Sequence, residues 1–409
     1  MADRSEAPAG PPRSHQAAAV LAAATTGRRR IVHAVVPAGT AAQAVRRVHQ
    51  AGSDLITVRV SDQGCGQAAA ALTLVADLTA QVAELSTGLR IDGLVGSRFV
   101  ARGLDAGATY VAGSPLQLLA ARRRNDTAAV AEALAAYAAI DHQCARPGII
   151  REVSAPAVAA PPSLLVTHLL VDLVLAVRHG VRHVVLGYPA LGHLVQDVAA
   201  LHALRALAPQ VAPELSDGGT LNLSVTQWSG TPQQVPTSGW AAAAAATMAA
   251  GLADATQVVV VPPIADDPQA PDTGLVAGVE FTRQMLDMLA DQRLEPSPQL
   301  TAECSAIEAE VRAAFASLGS PASPASLASL ASLASLGDRD ITRAMADGRL
   351  LGLSAAARAG RDALGAVRAV AAGAPGWPVW QQPPALPSPA RTDRQGAAAS
   401  PEDSSGSSI

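Results

Sequence analysis

Short runs of Val, Leu and Ile with strand character recur along the chain at Ile31–Val36, Leu55–Val60, Thr109–Val111, His183–Leu186, Leu221–Val225 and Gln257–Val261. Between them lie Ala/Leu-rich segments whose apolar positions fall at helical spacing, at Ala41–Ala51, Ala128–Ile140, Leu164–His179, Val195–Ala208 and Thr273–Gln292. Strands that alternate with helices of this length predict right-handed βαβ crossovers and a mainly parallel sheet. A closed barrel and an open doubly wound sheet both satisfy the pattern. A dinucleotide-binding reading needs GxGxxG directly after a strand; the nearest candidate, Gly64-Cys65-Gly66, lacks the third glycine and is taken as chance.

The ends differ from the middle. Residues 1–28 and 383–409 are rich in Pro, Ser, Ala and Gly, too poor in apolar surface to offset the entropy of ordering, and are expected to be disordered tails. That leaves an α/β domain over 29–300 and a helical extension over 301–382. The extension contains a Ser-Leu-Ala tract over 317–336. Its period of three drifts around a helix by about 60° per repeat, so the leucines form no sustained seam.

The chain has 409 residues, 49% of them hydrophobic but only 2% aromatic, so its core must be built from Ala, Val and Leu. All basic side chains are arginine, as a GC-rich coding bias produces; without lysine, Schiff-base chemistry and the phosphate-binding P-loop are excluded. A net charge of −4 gives no electrostatic case for nucleic acid or an anionic membrane. Cys65, Cys144 and Cys304 lie far apart without a CxxC pair, which suggests neither disulfides nor zinc. The first residues lack the apolar core of a signal peptide, and the Ala tract Trp240–Leu252 is too short to span a membrane. A cytoplasmic protein is expected.

Few residues invite chemistry. His179 and His183 are four apart but flank Gly180, so they end a helix and start a strand rather than share a metal. His193 and His202 suit the surface of the following helix, and Asp266-Asp267 suits a solvated loop. The more site-like set comprises Arg151-Glu152 after Gly148-Ile149-Ile150, Tyr188 after His183–Gly187, and Gln227-Trp228 after Leu221–Val225. All stand at carboxyl ends of strands, where α/β sheets bind ligands, and they converge on one mouth if the sheet closes. Capping of the barrel core by Tyr and Trp is the competing reading.

In order and spacing, Ile150-Arg151-Glu152, Pro161-Pro162-Ser163, Gly187-Tyr188 and Gly192-His193-Leu194-Val195-Gln196-Asp197-Val198-Ala199-Ala200-Leu201 resemble the large barrel subunit of coenzyme-B12-dependent glutamate mutase. Thr226-Gln227-Trp228-Ser229-Gly230 is similar to the family's His-Gln-Trp-Met-Gly, and Arg361-Asp362-Ala363-Leu364-Gly365-Ala366-Val367-Arg368 to its Arg-Asp-Asn-Leu-Gly-Cys-Val-Arg. The resemblance implies a TIM-like (β/α)8 barrel binding adenosylcobalamin at its carboxyl face. It also implies a homodimer of this chain, a separate small cobalamin-binding subunit and a small acidic substrate. The implied reaction is the radical isomerisation of glutamate to 3-methylaspartate. Cofactor-binding or mouth positions carried over are Gly39, Arg151, Pro161, Tyr188, Gln196, Thr226, Gln227, Trp228 and Pro263; no catalytic residue is assigned.

The departures lie mainly in the first half. The family grips its dicarboxylate with three arginines; here Pro37 takes the place of the first, the second falls near Cys65, and the third near Ile91-Asp92-Gly93. Arg59, Arg98 and Arg102 are alternative donors, the last two at the i,i+4 spacing of an exposed helix face. The family's Lys-Thr-Pro-His-Glu becomes Val261-Pro262-Pro263-Ile264-Ala265. The short stretch from Gly66 to Leu89 leaves the third strand missing or shortened. A barrel that has lost turnover but still binds cobalamin or the small subunit is therefore the alternative function, and an unrelated α/β barrel a further one.

Overall fold

Eight parallel strands close into a barrel, each hydrogen-bonded to the next and the eighth to the first, in the computed structural model. It describes residues 21, 29–61, 65–82, 85–122, 127–155, 160–227, 236–262, 272–290, 292, 297–318, 341, 343 and 344. The strands are β1 (Ile31–Pro37), β2 (Leu55–Val60), β3 (Ser86–Ile91), β4 (Tyr110–Ala112), β5 (Ile150–Ser154), β6 (His183–Pro189), β7 (Thr220–Thr226) and β8 (Gln257–Val260). The helices are α1 (Ala42–Gln50), α2 (Cys65–Gln81), α3 (Ser97–Asp105), α4 (Pro115–Arg122), α5 (Thr127–Cys144), α6 (Pro162–Arg178), α7 (Leu194–Val211), α8 (Pro236–Leu252), α9 (Thr273–Met288) and α10 (Pro298–Leu318). The open-sheet alternative is thereby set aside.

The third strand is present. Its opening Ser86-Thr87-Gly88 carries no apolar run, which hid it from the hydrophobic pattern, yet every residue of β3 is buried. Gly88 is required there, because a Cβ would lie 2.4 Å from the Tyr110 carbonyl oxygen on β4. Strand β5 also runs past the expected Gly148-Ile149-Ile150 and takes in Arg151 and Glu152, both fully buried.

Each strand is covered on two sides, so alternate residues serve two different interiors. Outward positions such as Val32, Ala34 and Val36 of β1 and Val184 and Leu186 of β6 pack under the helices in the main apolar core. Helix α10 adds Ile307, Val311 and Phe315 to that core, packing on α6 and α7. Inward positions Ile31, Leu55, Tyr110, Ala112, Ile150 and Val185 form a smaller cluster that lines the barrel interior. Leu21 joins this cluster at 3% exposure; it is the only described residue of the expected N-terminal tail.

Arginines close the seam between the two ends of the barrel. Arg47 of α1 makes a bidentate pair with Asp272, at 2.7 Å for each bond, just before α9. Arg283 of α9 bonds Asp54 and the carbonyls of Gly52 and Arg30. Among the described residues no helix is long and apolar enough to cross a membrane, and Cys144 and Cys304 are free thiols.

Candidate functional site

Following the strand register once around the barrel sorts the inward side chains into levels. His33, Gly88, Glu152 and Ser224 share one level. Leu55, Tyr110, Val185 and Gln257 lie below it. Thr57, Ala112, Gly187 and Val259 lie above, then Val35, Arg90, Ser154 and Thr226, with Arg59 at the rim.

Glu152 is the hub. It is fully buried, and its Oε2 accepts the Tyr110 hydroxyl at 2.5 Å while its Oε1 accepts the Ser154 hydroxyl at 2.6 Å. The Arg90 guanidinium stands 3.6 Å from Oε1 and the His33 ring 3.8 Å from Oε2. Burial by itself would raise the Glu152 pKa; the Arg90 charge, His33 and the Ser154 and Tyr110 hydroxyls outweigh it, and the carboxyl is held below its ordinary range. Burial and the Glu152 charge keep the Tyr110 phenol protonated, as a donor.

His33 is neutral. Burial lowers its pKa to about 4. The Gln257 amide nitrogen lies 2.8 Å from Nδ1, so Nδ1 accepts, and Nε2 is left to donate to the Thr57 hydroxyl at 2.8 Å. Gly187 completes the arrangement: a side chain there would begin 2.8 Å from Glu152 Oε1.

Above this network the polar groups are fewer. Arg59 and Arg90 are register partners on β2 and β3. Arg59 Nε is 3.0 Å from Asp92 Oδ2, and Arg90 Nε is 3.4 Å from Asp92 Oδ1. Arg59 is half exposed, whereas Arg90 is 6% exposed and its Nε and Nη1 have no hydrogen-bond partner. The Arg90 guanidinium is thus charge-balanced between two carboxylates, with Nε turned to Asp92 and Nη1 to Glu152.

The positions expected at the mouth divide between rim and scaffold. Gly39 is exposed in the turn after β1, with nothing within 4 Å of a Cβ built on it, and Thr226 ends β7 on the inward side. Pro161 is the half-buried residue before α6. Arg151, in contrast, points away from the lumen. Its Nε bonds Asp141 of α5 at 2.7 Å, Nη1 bonds the Gly113 carbonyl at 2.7 Å, and its guanidinium carbon lies 5.7 Å from the Tyr137 ring centre. Strand alternation places Glu152 inward and its neighbour outward.

Tyr188 is likewise buried toward the helices, donating to Asp197 of α7 at 3.0 Å; Asp197 also accepts the Leu191 and Gly192 amides. Gln196 is half-buried and bonds Glu303 of α10. The Gln227 amide donates to Thr247 and Thr282 and accepts from the Val261 amide, tying β7, α8, α9 and the end of β8 together. Trp228 and Pro263 lie outside the described residues, as do Asp266-Asp267 and Arg361–Arg368. His179 pairs with Asp141 at 3.1 Å, and no group of metal ligands forms among the described residues. Arg98 and Arg102 are exposed on α3.

Sequence reasoning passed over Arg90, His33, Tyr110 and Gln257. The signal was available as a lone polar residue in a strand otherwise apolar or small, as in Ile31-Val32-His33-Ala34 and Leu89-Arg90-Ile91.

Residues 149–374 match the family described as Methylaspartate mutase E chain (MutE). The glutamate mutase epsilon subunits of Desulfitobacterium hafniense (strain Y51) and Haloarcula marismortui are each 35% identical over 157 residues. That of Escherichia coli O157:H7 is 31% identical over 156. These alignments cover 37% of this chain and 31–32% of the relatives, so the chain spans about a third of the length of the curated relatives it matches. Among solved structures, dihydropteroate synthase from Thermus thermophilus is 16% identical with a TM-score of 0.40, covering 64% of this chain and 93% of that one. Likeness at that level says nothing about ligand or activity. The family match extends over more than half of the 409 residues and takes in β5 to α10, with Glu152 at its start, and on that ground the chain belongs to the methylaspartate mutase E chain family.

Proposed function

We propose that this chain is a divergent large subunit of an adenosylcobalamin-dependent carbon-skeleton mutase, acting in the cytoplasm on glutamate or a related acid. The observation that carries the reading is the arginine pair Arg59–Arg90 at the mouth of a closed barrel, with the family match beside it. Arg59 and Arg90 take the substrate carboxylate. Glu152, enclosed on every side, does not touch the ligand; it holds Arg90 upright from below, as Asp92 does from the rim. Packing of the lumen beneath Arg90 excludes water from that end of the site, which strengthens the ion pair formed there.

On the rim a broad flat cofactor would meet Gly39, Gly96 and Gly192, where among the described residues nothing lies within 4 Å of an added Cβ. Gly39 and Thr226 would hold it by close backbone and hydroxyl contact; at the end of β8, Val261 and Pro262 offer no charged contact. When bound, adenosylcobalamin supplies the radical that starts the rearrangement. The curated relatives are named as epsilon subunits, and on that likeness the cobalamin comes on a separate small cobalamin-binding subunit, with the assembly built on a homodimer. The barrel domain runs over 29–300 and its extension over 301–382.

Val261, Pro262 and Pro37 favour a second reading, a barrel that keeps cobalamin or small-subunit binding without turnover. One experiment separates the two. The purified chain is mixed with adenosylcobalamin and its small subunit, and glutamate and 3-methylaspartate are followed by NMR. Interconversion is expected, and Arg90→Gln should lower it at least about tenfold, the scale of one lost charge-assisted bond. An intact complex that interconverts neither these nor other small acids would leave the binding role.

A further inference from the structure

We infer that the face of the barrel opposite the mouth holds a site for a free α-amino acid with an aliphatic side chain. A cavity of about 320 Å³ opens there between the end of α6, the turn into β6 and the 3-10 turn Pro213–Ser216 that precedes β7. Its volume lies near the lower limit of small-molecule sites, about 300–1,000 Å³, and so suits one amino acid rather than a nucleotide or a peptide. No residue of this cavity belongs to the lumen or its mouth, so the inference stands apart from the proposed mutase reaction.

The floor is apolar and fixed. Val181 and Leu215 are buried and Val177 is half-buried. Backbone bonds tie the two walls together: the Thr220 amide donates to the Arg182 carbonyl and the Gly219 amide to that of Leu215, each at 2.9 Å. At Gly219 a Cβ would lie 2.7 Å from the Arg182 carbonyl oxygen and 2.8 Å from that of Leu215, so the walls meet as closely as glycine allows.

Charge is confined to the rim. Gly180, at a φ of 91°, turns the chain between α6 and β6 so that Arg178 and Arg182 line the same cavity. Arg182 is held in place by its bond to the Asp217 carbonyl. Glu214 is the one acid among the lining residues. Two guanidinium groups and a carboxylate around an apolar floor match a molecule with a carboxylate and an ammonium at one end and a branched hydrocarbon at the other. A plain anion would meet Glu214 and the carbonyl end of α6, and a plain amine would meet two arginines.

Leucine tests this against two analogues that each lack one of its charges, 4-methylpentanoate and 3-methylbutylamine. Each is titrated at millimolar concentration into the full-length chain, and binding is read by ligand-observed NMR line broadening. Leucine should bind about threefold to fivefold more tightly than either analogue, the scale of an exposed ion pair. Arg178→Gln combined with Arg182→Gln should abolish its advantage over 3-methylbutylamine, and Glu214→Gln its advantage over 4-methylpentanoate. Arg98→Gln on α3 should change neither. All these positions are exposed, so the substitutions leave the fold intact. No binding of leucine, leucine bound no more tightly than one of the analogues, or a preference that survives its matching substitution overturns the inference.

Discussion

Burial sets the charge of two side chains against their usual habit. Asp172 of α6 is 2% exposed, accepts the Ser114 hydroxyl, and is pushed by burial to a pKa of about 8. The folded state therefore holds a proton that the unfolded chain releases near pH 4, and stability falls as pH rises between about 4 and 8. Asp172→Asn removes that dependence. Its stability relative to the parent should grow by roughly 5 kcal/mol from pH 4 to pH 8, at about 1.4 kcal/mol per unit, in urea melts at the two pH values. His33 acts in the opposite sense. Its folded pKa of about 4 lies below the unfolded value near 6.5, so the unfolded chain binds the extra proton and stability is lost as pH falls from 6.5 to 4. His33→Gln should flatten that acid limb by about 3 kcal/mol. An unchanged limb would mean that His33 is not the group that titrates.

Elements, more than single residues, explain which part of the site was legible in the sequence. Strands β1, β2, β6, β7 and β8 show as apolar runs because both their faces are buried; β3 does not, because it opens on Ser86-Thr87-Gly88, and at Gly88 a Cβ would meet the Tyr110 carbonyl. Position along a strand was legible for Tyr188 and Gln227, which stand at or just past a strand end, but not for Arg151, the second residue of β5. The face was not. One step of alternation sends Arg151 to Asp141 and Glu152 to the lumen, and only closure of the barrel says which is which. Gln227 fastens four elements, and Gln227→Leu leaves the Val261 amide without its acceptor and the Thr247 and Thr282 hydroxyls with only their bonds to the Ala243 and Gly278 carbonyls. A loss of about 2–4 kcal/mol in chemical denaturation is expected, with faster hydrogen exchange at the Val261 amide.

At the scale of the molecule, α10 closes the apolar surface that α6 and α7 leave on their outer side. Its own Leu300, Ile307, Val311 and Phe315 are buried. A chain ending at residue 297 should therefore aggregate or melt at least 10 °C lower, whereas one ending at Ala371, the edge of the first compact unit, should melt within about 2 °C of the parent. Differential scanning fluorimetry and light scattering distinguish the outcomes.

The contact between Gly187 and Glu152 has a bearing on how this barrel can change over time. The missing side chain on β6 is the space that the β5 carboxylate occupies, at 2.8 Å from where a Cβ would begin. Neither position can drift alone: Gly187→Ala should cost about 2 kcal/mol or more in the parent and much less beside Glu152→Asp, whose carboxylate is drawn back by one methylene. Two sites on different strands are thus inherited as one character, and a lineage that gains a side chain at position 187 should show a shorter acid, or none, at position 152.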